Sequence, residues 1–213
     1  MAINNFHGQT FVAFLDISGF KELMKNDNDA LKALSRLYQA GYDVLQEQNG
    51  VEGFFVSDSG ILFVRDGNAT EKLKKILTAV KSINVKMLQH NYILTTCIAY
   101  GSFDYQGKLE FDGIEKNPIY GYAYVKAFLD NEKEQPKIQP GQCRLVTQNL
   151  PQDINFQHSD FSLLRQKGAN AKHLYYYWSV ANADSIEDYE RHYNDSYKLK
   201  YSGMLQALKR GNN

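Results

Sequence analysis

Between two long stretches of helical periodicity lies GVEGFFVSDSGILFVRDG, residues 50 to 67. It consists of two apolar runs around a Ser-Asp-Ser-Gly turn, the signature of a β-hairpin. A hairpin enclosed by helices constrains this fold more than any other feature of the chain. The helix before it runs from Asp29 to Gln48, with Leu31, Leu34, Leu37, Tyr38, Tyr42 and Leu45 at helical spacing. The helix after it runs from Ala69 to His90, with Leu73, Ile76, Leu77, Val80, Ile83, Val85 and Leu88 roughly on one side. Upstream, residues 11 to 17 read as a first strand and Gly19 to Lys25 as the start of a short helix. Downstream come a strand at 92 to 101, a short exposed excursion GKLEFDG, a helix from Ile119 to Glu132 behind Pro118, and a strand CRLVTQ. The order β, α, α, β, β, α, β, excursion, α, β predicts an α+β fold, a mixed sheet with helices packed on it.

KEQPKIQPGQ, 133 to 142, is the best candidate for a boundary or solvated loop. The chain therefore divides into a core domain at 8–147 and a C-terminal extension at 148–213. The extension carries an aromatic strand, HLYYYWSV, and one helix from about Ile186 to Lys209. That helix spaces Tyr189, Tyr193, Tyr197, Tyr201, Leu205 and Leu208 at steps of four and three, which suits packing on the sheet or on a second subunit.

Composition narrows the function. Twenty-four basic residues balance 24 acidic ones, so bulk charge offers no nucleic-acid or membrane surface. Fifteen Tyr and 12 Phe argue for a packed interior. No apolar run approaches a membrane span, and MAINNFHGQT lacks the pattern of a signal peptide. Cys97 and Cys143 sit singly in strand-like runs and read as reduced core residues of a cytoplasmic protein. No histidine stands at ligand spacing from either cysteine, which argues against zinc.

Two aspartates carry the chemistry. Asp16 closes the first strand in FVAFLDISGF, and Asp58 sits at the hairpin tip. Either alone is an ordinary turn or helix-capping residue. When the first strand and the hairpin lie side by side in one sheet, the two carboxylates meet. They then repel unless a cation neutralises them. Oxygen donors of this kind suit Mg²⁺ or Mn²⁺, with phosphate and water completing the shell. The amides of Ser18, Gly19 and Phe20 lie beside Asp16 at the start of a helix and are expected to receive phosphate oxygens. The expected result is a cradle for a metal and a triphosphate.

FLDISGF and FFVSDSGILFV resemble the first-metal and second-metal motifs of the class III nucleotide cyclases. IAYG, ending at Gly101, resembles the strand before that family's dimerisation excursion, and IYGYAYVKAFLDNE occupies the place of its late helix. The likeness spans roughly residues 10 to 147. It implies a ferredoxin-like βααββαβ core and a homodimer with the active site at the interface. It further implies two metal ions, Mn²⁺ or Mg²⁺, held by Asp16, Asp58 and the Ile17 carbonyl.

The departures are specific. Ser57 replaces the glycine that usually precedes the second aspartate. Phe54 stands where purine cyclases carry Lys or Glu, and Pro118 falls on their second base-reading position. Val125 and Leu129 occupy the places of the Asn and Arg that steady ribose and transition state. This pattern, with YGYAYVKAFLDNE, is most similar to the divergent pyrimidine cyclases of the bacterial Pycsar antiphage system. That resemblance implies conversion of CTP or UTP to a 3′,5′-cyclic monophosphate, sensed by a separate effector during infection. A divergent adenylate or guanylate cyclase and a silent nucleotide-binding cyclase fold are the alternatives. Phe14, two residues before Asp16 on the same strand face, would floor the nucleotide. An aromatic Phe54 would fill the space a pyrimidine leaves, and the alternative role for Phe54 is packing. Asn117 is a candidate base reader, and Lys126, Arg144 and Lys108 are candidate cations for the transition state.

Overall fold

The structure is a computed structural model. It describes residues 3–211 except 107, 108, 112, 113, 117, 170, 198 and 199, with backbone alone for 109–111, 114–116 and 200. Strand β1 (Phe6–Ile17) leads through a four-residue helix, α1 (Phe20–Leu23), into α2 (Asp27–Glu47). The hairpin follows as β2 (Val51–Val56) and β3 (Ser59–Val64), then α3 (Ala69–Gln89) and β4 (Leu94–Tyr105). A small separate hairpin, β5 (Leu109–Phe111) and β6 (Ile114–Lys116), precedes β7 (Ile119–Tyr120) and α4 (Tyr122–Glu132). Then come β8 (Cys143–Val146), β9 (Leu164–Gln166), β10 (His173–Tyr176), α5 (Ile186–Tyr197) and α6 (Lys200–Gly211).

The main sheet runs β2-β3-β1-β4-β8-β10-β9, with β7 pairing the far end of β4. All these pairs are antiparallel except β4 with β8. The central strand β1 is buried on both faces, which is why FVAFL reads as an unbroken apolar run. Alternate residues serve opposite layers. Phe11, Ala13, Leu15 and Ile17 join Leu37 and Val44 of α2 and Ile76, Val80 and Ile83 of α3 in the main core. Val12 and Phe14 face the other way, into a second core with Ile61, Phe63 and Phe103, closed by Ala123 and Ala127 of α4. Asp16 shares that second face by parity.

The helices begin where short polar side chains close their first turns. The Asn26 side chain accepts from the Asn28 amide at 3.0 Å to open α2. Asn68 and Glu71 form a reciprocal capping box that opens α3.

Several boundaries differ from the sequence expectation; β1 begins at Phe6 rather than at residue 11, and β4 runs on to Tyr105. Ile119 and Tyr120 are strand, not helix, because they continue the β4 ladder opposite Tyr105 and Asp104. Helix α4 starts only after Gly121, whose φ is 120° and where a Cβ would lie 2.4 Å from the Ser102 carbonyl oxygen. The hairpin turn is Ser57-Asp58 alone, with Ser59 and Gly60 already paired in β3. The single C-terminal helix is two, α5 and α6, packed against each other. Each 12-residue piece spans about 18 Å. Packing the two together lets Tyr193 of α5 and Met204 and Leu208 of α6 all reach the main core, with Tyr193 Oη 3.8 Å from Met204 Sδ. The segment after residue 147 also supplies β9 and β10 to the same sheet, and Phe161 and Trp178 to the same core.

Candidate functional site

Asp16 is the last polar position of β1 before the chain leaves the sheet. It lies opposite Ser59 of β3 on one side and Thr95 of β4 on the other. The Ser59 hydroxyl donates to Asp16 Oδ1 at 3.1 Å. The next amide, of Ile17, donates to the main-chain carbonyl of Asp58 at 3.1 Å, fastening the hairpin tip to the end of β1. Antiparallel pairing of β1 with β3 thus brings Asp16 and Asp58 to one end of the sheet, although 42 residues separate them.

The electrostatics follow from that meeting. The Asp16 carboxyl, ordinarily near 3.8, is pushed up to about 6. Burial is the main cause, the charge of Asp58 comes next, and Glu132 adds to both, while the Ser59 hydrogen bond opposes them. Among the described residues no cluster of three His, Cys, Asp or Glu side chains is placed to hold a metal. The oxygen donors here fit a hard divalent cation that keeps water and phosphate in its shell. Asp16, Asp58 and the Ile17 carbonyl are the candidates to hold one.

Ser57 adopts φ 53° at the first position of the two-residue turn. That is left-handed backbone, which glycine enters more readily. A serine at this point therefore holds the turn geometry at the cost of strain in the residue before Asp58.

A cavity of about 370 Å³ opens beside Asp16. Ser18 and Gly19 form one wall, Asn131 and Glu132 at the end of α4 another, and Lys137 of the following loop a third. Asn131 is held by reciprocal contacts with Thr95 at 3.2 and 3.3 Å. The Ser18 hydroxyl is buried and has no hydrogen-bond partner among the described residues. The Ser18 amide donates to the Ile93 carbonyl at 2.8 Å. This corrects the expectation of three free amides at a helix start. Moreover α1 has only four residues, too few for a developed helix dipole. Gly19, at φ 78°, makes the turn that leads into it, and Phe20 is buried in the main core.

Other expected residues lie apart from the cavity. Phe14 is 4% exposed and meets the edge of the Phe128 ring at 5.3 Å. It supports the sheet under α4 and does not line the cavity. Phe54, opposite Ile61, packs half-buried against Tyr105 with ring centroids 5.6 Å apart. Arg144 is fully buried: its Nε donates to Asp130 Oδ2 at 2.7 Å, and its other nitrogens donate to the Asp130 and Pro136 carbonyls, each at 2.6 Å. His173 Nε2 meets the other Asp130 oxygen at 2.7 Å. Burial works against the Asp130 carboxylate, but His173 and Arg144 together hold it below its ordinary range. Arg144 is thus a structural ion-pair partner and not a mobile cation. Lys126 pairs with Glu134 at 3.6 Å, in a different cavity beside Lys172. Asn117 and Lys108 lie outside the described residues. Val125 and Leu129 stand exposed on α4.

Asn131, Glu132 and Lys137 were not singled out from sequence as site residues. Nothing in their local pattern marks them, because they reach Asp16 only through the docking of α4 across β1 and β4.

No family model and no curated protein sequence matches the chain. Solved structures do. The adenylyl cyclase CyaB from P. aeruginosa is similar with a TM-score of 0.55 at 16% identity, over 81% of this chain and 94% of that one. The guanylyl cyclase Cya2 is similar with a TM-score of 0.54 at 13% identity, over 81% and 92%. The guanylate cyclase domain of RhGC from Catenaria anguillulae, solved in complex with GTP, gives 0.53 at 11% identity, over 81% and 96%. At these identities the likeness shows the fold, a nucleotide-cyclase fold with helices on a mixed sheet.

Proposed function

We propose that the chain is a divalent-metal-dependent nucleotide cyclase that acts on a pyrimidine nucleoside triphosphate and works as a homodimer. The observation that carries this reading is the meeting of Asp16 and Asp58 at one sheet end, beside a polar cavity, in a cyclase fold. A bound pair of Mn²⁺ or Mg²⁺ ions supplies activation of the ribose 3′-hydroxyl and charge neutralisation on the triphosphate. Asp16 and Asp58 would hold those ions, and Ser59 orients the Asp16 carboxylate through its hydroxyl. The 3′-oxygen attacks the α-phosphorus, the bond to the β-phosphate oxygen breaks, and pyrophosphate leaves. The hydroxyl proton passes to solvent.

Substrate choice is assigned to Phe54 by the sequence resemblance: its side chain offers no donor or acceptor for a purine edge, although in this single chain it packs half-buried against Tyr105, apart from the cavity beside Asp16. The homodimer reading rests on α4, which turns Val125, Phe128 and Leu129 outward. A cyclic pyrimidine nucleotide made this way would serve as a messenger in antiphage defence, read by a separate effector.

A purine cyclase with unusual base contacts is the second reading, favoured by neighbours named as adenylyl and guanylyl cyclases. The test is incubation with Mn²⁺ and each of ATP, GTP, CTP and UTP, with cyclic products read by mass spectrometry. A single cyclic pyrimidine product is the expected result. A cyclic purine would overturn the role given to Phe54, and absence of any product would overturn the enzyme reading.

A further inference from the structure

Two turns border the sheet end that carries Asp16, and side chains from beyond residue 147 hold both. The first turn, Asn91 to Ile93, leads into β4. Its Ile93 carbonyl accepts from the Ser18 amide at 2.8 Å, which tethers the chain just past Asp16 and Ile17. Asn91 takes φ 66°, left-handed backbone that a side chain disfavours, so the turn needs support. The support comes from α6. Tyr201 Oη accepts from the Ile93 amide at 3.1 Å and donates to the Asn91 carbonyl at 3.0 Å. Lys209 Nζ donates to Asn91 Oδ1 at 2.5 Å. The second turn contains Pro140 and Gly141. The Gly141 amide donates to the Leu94 carbonyl at 2.8 Å. The Pro140 carbonyl accepts from Tyr193 Oη at 2.7 Å, and the Gly141 carbonyl from Trp178 Nε1 at 2.8 Å.

The chemistry of the first clamp is specific to a hydroxyl. A phenol accepts and donates at once, so one group closes an N–H and a C=O two residues apart. Phenylalanine would fill the same space and close neither. Ile93 is 2% exposed, so its amide would then stand unpaired where water reaches it poorly. The path from that hydroxyl to the metal end is short: Tyr201 fixes Ile93, Ile93 fixes the Ser18 amide, and Ser18 follows Asp16 and the Ile17 carbonyl in the chain. We propose that Tyr201 is a positioning residue, which sets the Asp16–Ser18 segment for a divalent cation by clamping the Asn91–Ile93 turn from α6. The proposal rests on the cyclase reading and adds to it that a helix outside the motif-bearing strands governs the geometry of the metal end.

The test uses the full chain and compares Tyr201→Phe with wild type. Amide hydrogen exchange should quicken at Ile93 and Ser18 and stay unchanged at Val12 and Leu62, in the middle of the sheet. Mn²⁺, titrated calorimetrically without nucleotide, should bind on the order of tenfold more weakly, the lower end for residues that orient metal ligands from behind. In turnover, kcat should fall with KM for the nucleotide little changed, the pattern of lost positioning in the transition state. Tyr177→Phe is the control. It removes another hydroxyl of the same extension, one that donates to Glu190 and not to either turn. It should lower the melting temperature and leave Mn²⁺ affinity and Ser18 exchange as in wild type. Unchanged Ser18 exchange and Mn²⁺ affinity in Tyr201→Phe overturn the assignment, as do an equal loss in Tyr177→Phe or the absence of Mn²⁺ binding in wild type. If Tyr201→Phe loses Mn²⁺ affinity as expected but wild type cyclises no nucleotide, the cyclase reading fails and the positioning of a metal site stands. If both proteins form a cyclic product with equal kinetics and equal exchange, the positioning role fails and the cyclase reading stands.

Discussion

Replacing Asp16 by Asn should make the metal-free protein more stable. In the folded chain the Asp16 carboxyl is pushed from 3.8 to about 6, by burial first and by Asp58 next. A folded-state value raised above the unfolded one means that the protonated form favours folding. That stabilisation is complete below about pH 4 and is lost as the pH rises through 6. A shift of two units corresponds to about 3 kcal/mol, and solvent access to the half-buried carboxyl reduces this to about 2 kcal/mol. Asn cannot ionise, and its amide oxygen still accepts from Ser59. For a chain of 213 residues, about 2 kcal/mol is a rise in melting temperature of about 4–8 °C. The assay is thermal unfolding in excess chelator at about pH 7.5 and again at about pH 4.5, where the gain should shrink to about a third. With Mn²⁺ added, wild type should gain stability by mass action and Asp16→Asn should not. A variant less stable than wild type in chelator at the higher pH would refute the claim that Asp16 is held as an uncompensated charge.

Other substitutions separate strain, charge and packing. Ser57→Gly should stabilise the protein by up to about 1 kcal/mol, because relief of left-handed strain at φ 53° exceeds glycine's extra backbone entropy; denaturant unfolding reads this, and turnover should be unchanged. Asp58→Ala should abolish turnover, keep the fold, and lower the Asp16 titration point toward the ordinary range, which carboxyl NMR reads directly. Arg144→Met leaves Asp130 buried with one partner fewer, and should cost about 3–5 kcal/mol in denaturant unfolding.

The hairpin between helices was legible because its periodicity changes from helical to alternating over a short span, and the topology follows from that. Pairing of β1 with β3, and with it the approach of Asp16 and Asp58, was accessible for the same reason. The boundary at Ile119 was not. A two-residue strand has no period, and only the end of β4 across from it supplies the hydrogen bonds. The division of the C-terminal helix was hidden for the opposite reason. Tyrosines at steps of four continue through it, so periodicity alone predicts one rod, while the core requires residues from both pieces. Arg144 reads from sequence as any strand arginine. Its role is set by Asp130 and His173, which reach it from α4 and β10.

The cavity wall illustrates why site residues outnumber motif residues. A motif is visible when neighbouring positions serve one site together, as Asp16, Ile17 and Gly19 are proposed to do through one turn. Glu132 acts on Asp16, and Lys137 lines the same cavity, from outside that turn, and their positions depend on where α4 ends. That end is fixed by a buried ion pair: Asp130, one residue before Asn131, is clamped by Arg144 through both its carboxylate and its carbonyl. The adjacent Asn131 is clamped by Thr95, which itself lies opposite Asp16. The buried arginine therefore contributes to the site without touching it, by fixing the wall from which Glu132 raises the Asp16 carboxyl and from which the Lys137 loop departs. Glu132 and Asp58 both raise the cost of an ionised Asp16 in the free protein, and the same two charges strengthen the attraction for a divalent cation. Destabilisation of the metal-free protein and the proposed affinity for a divalent cation would thus have one physical source.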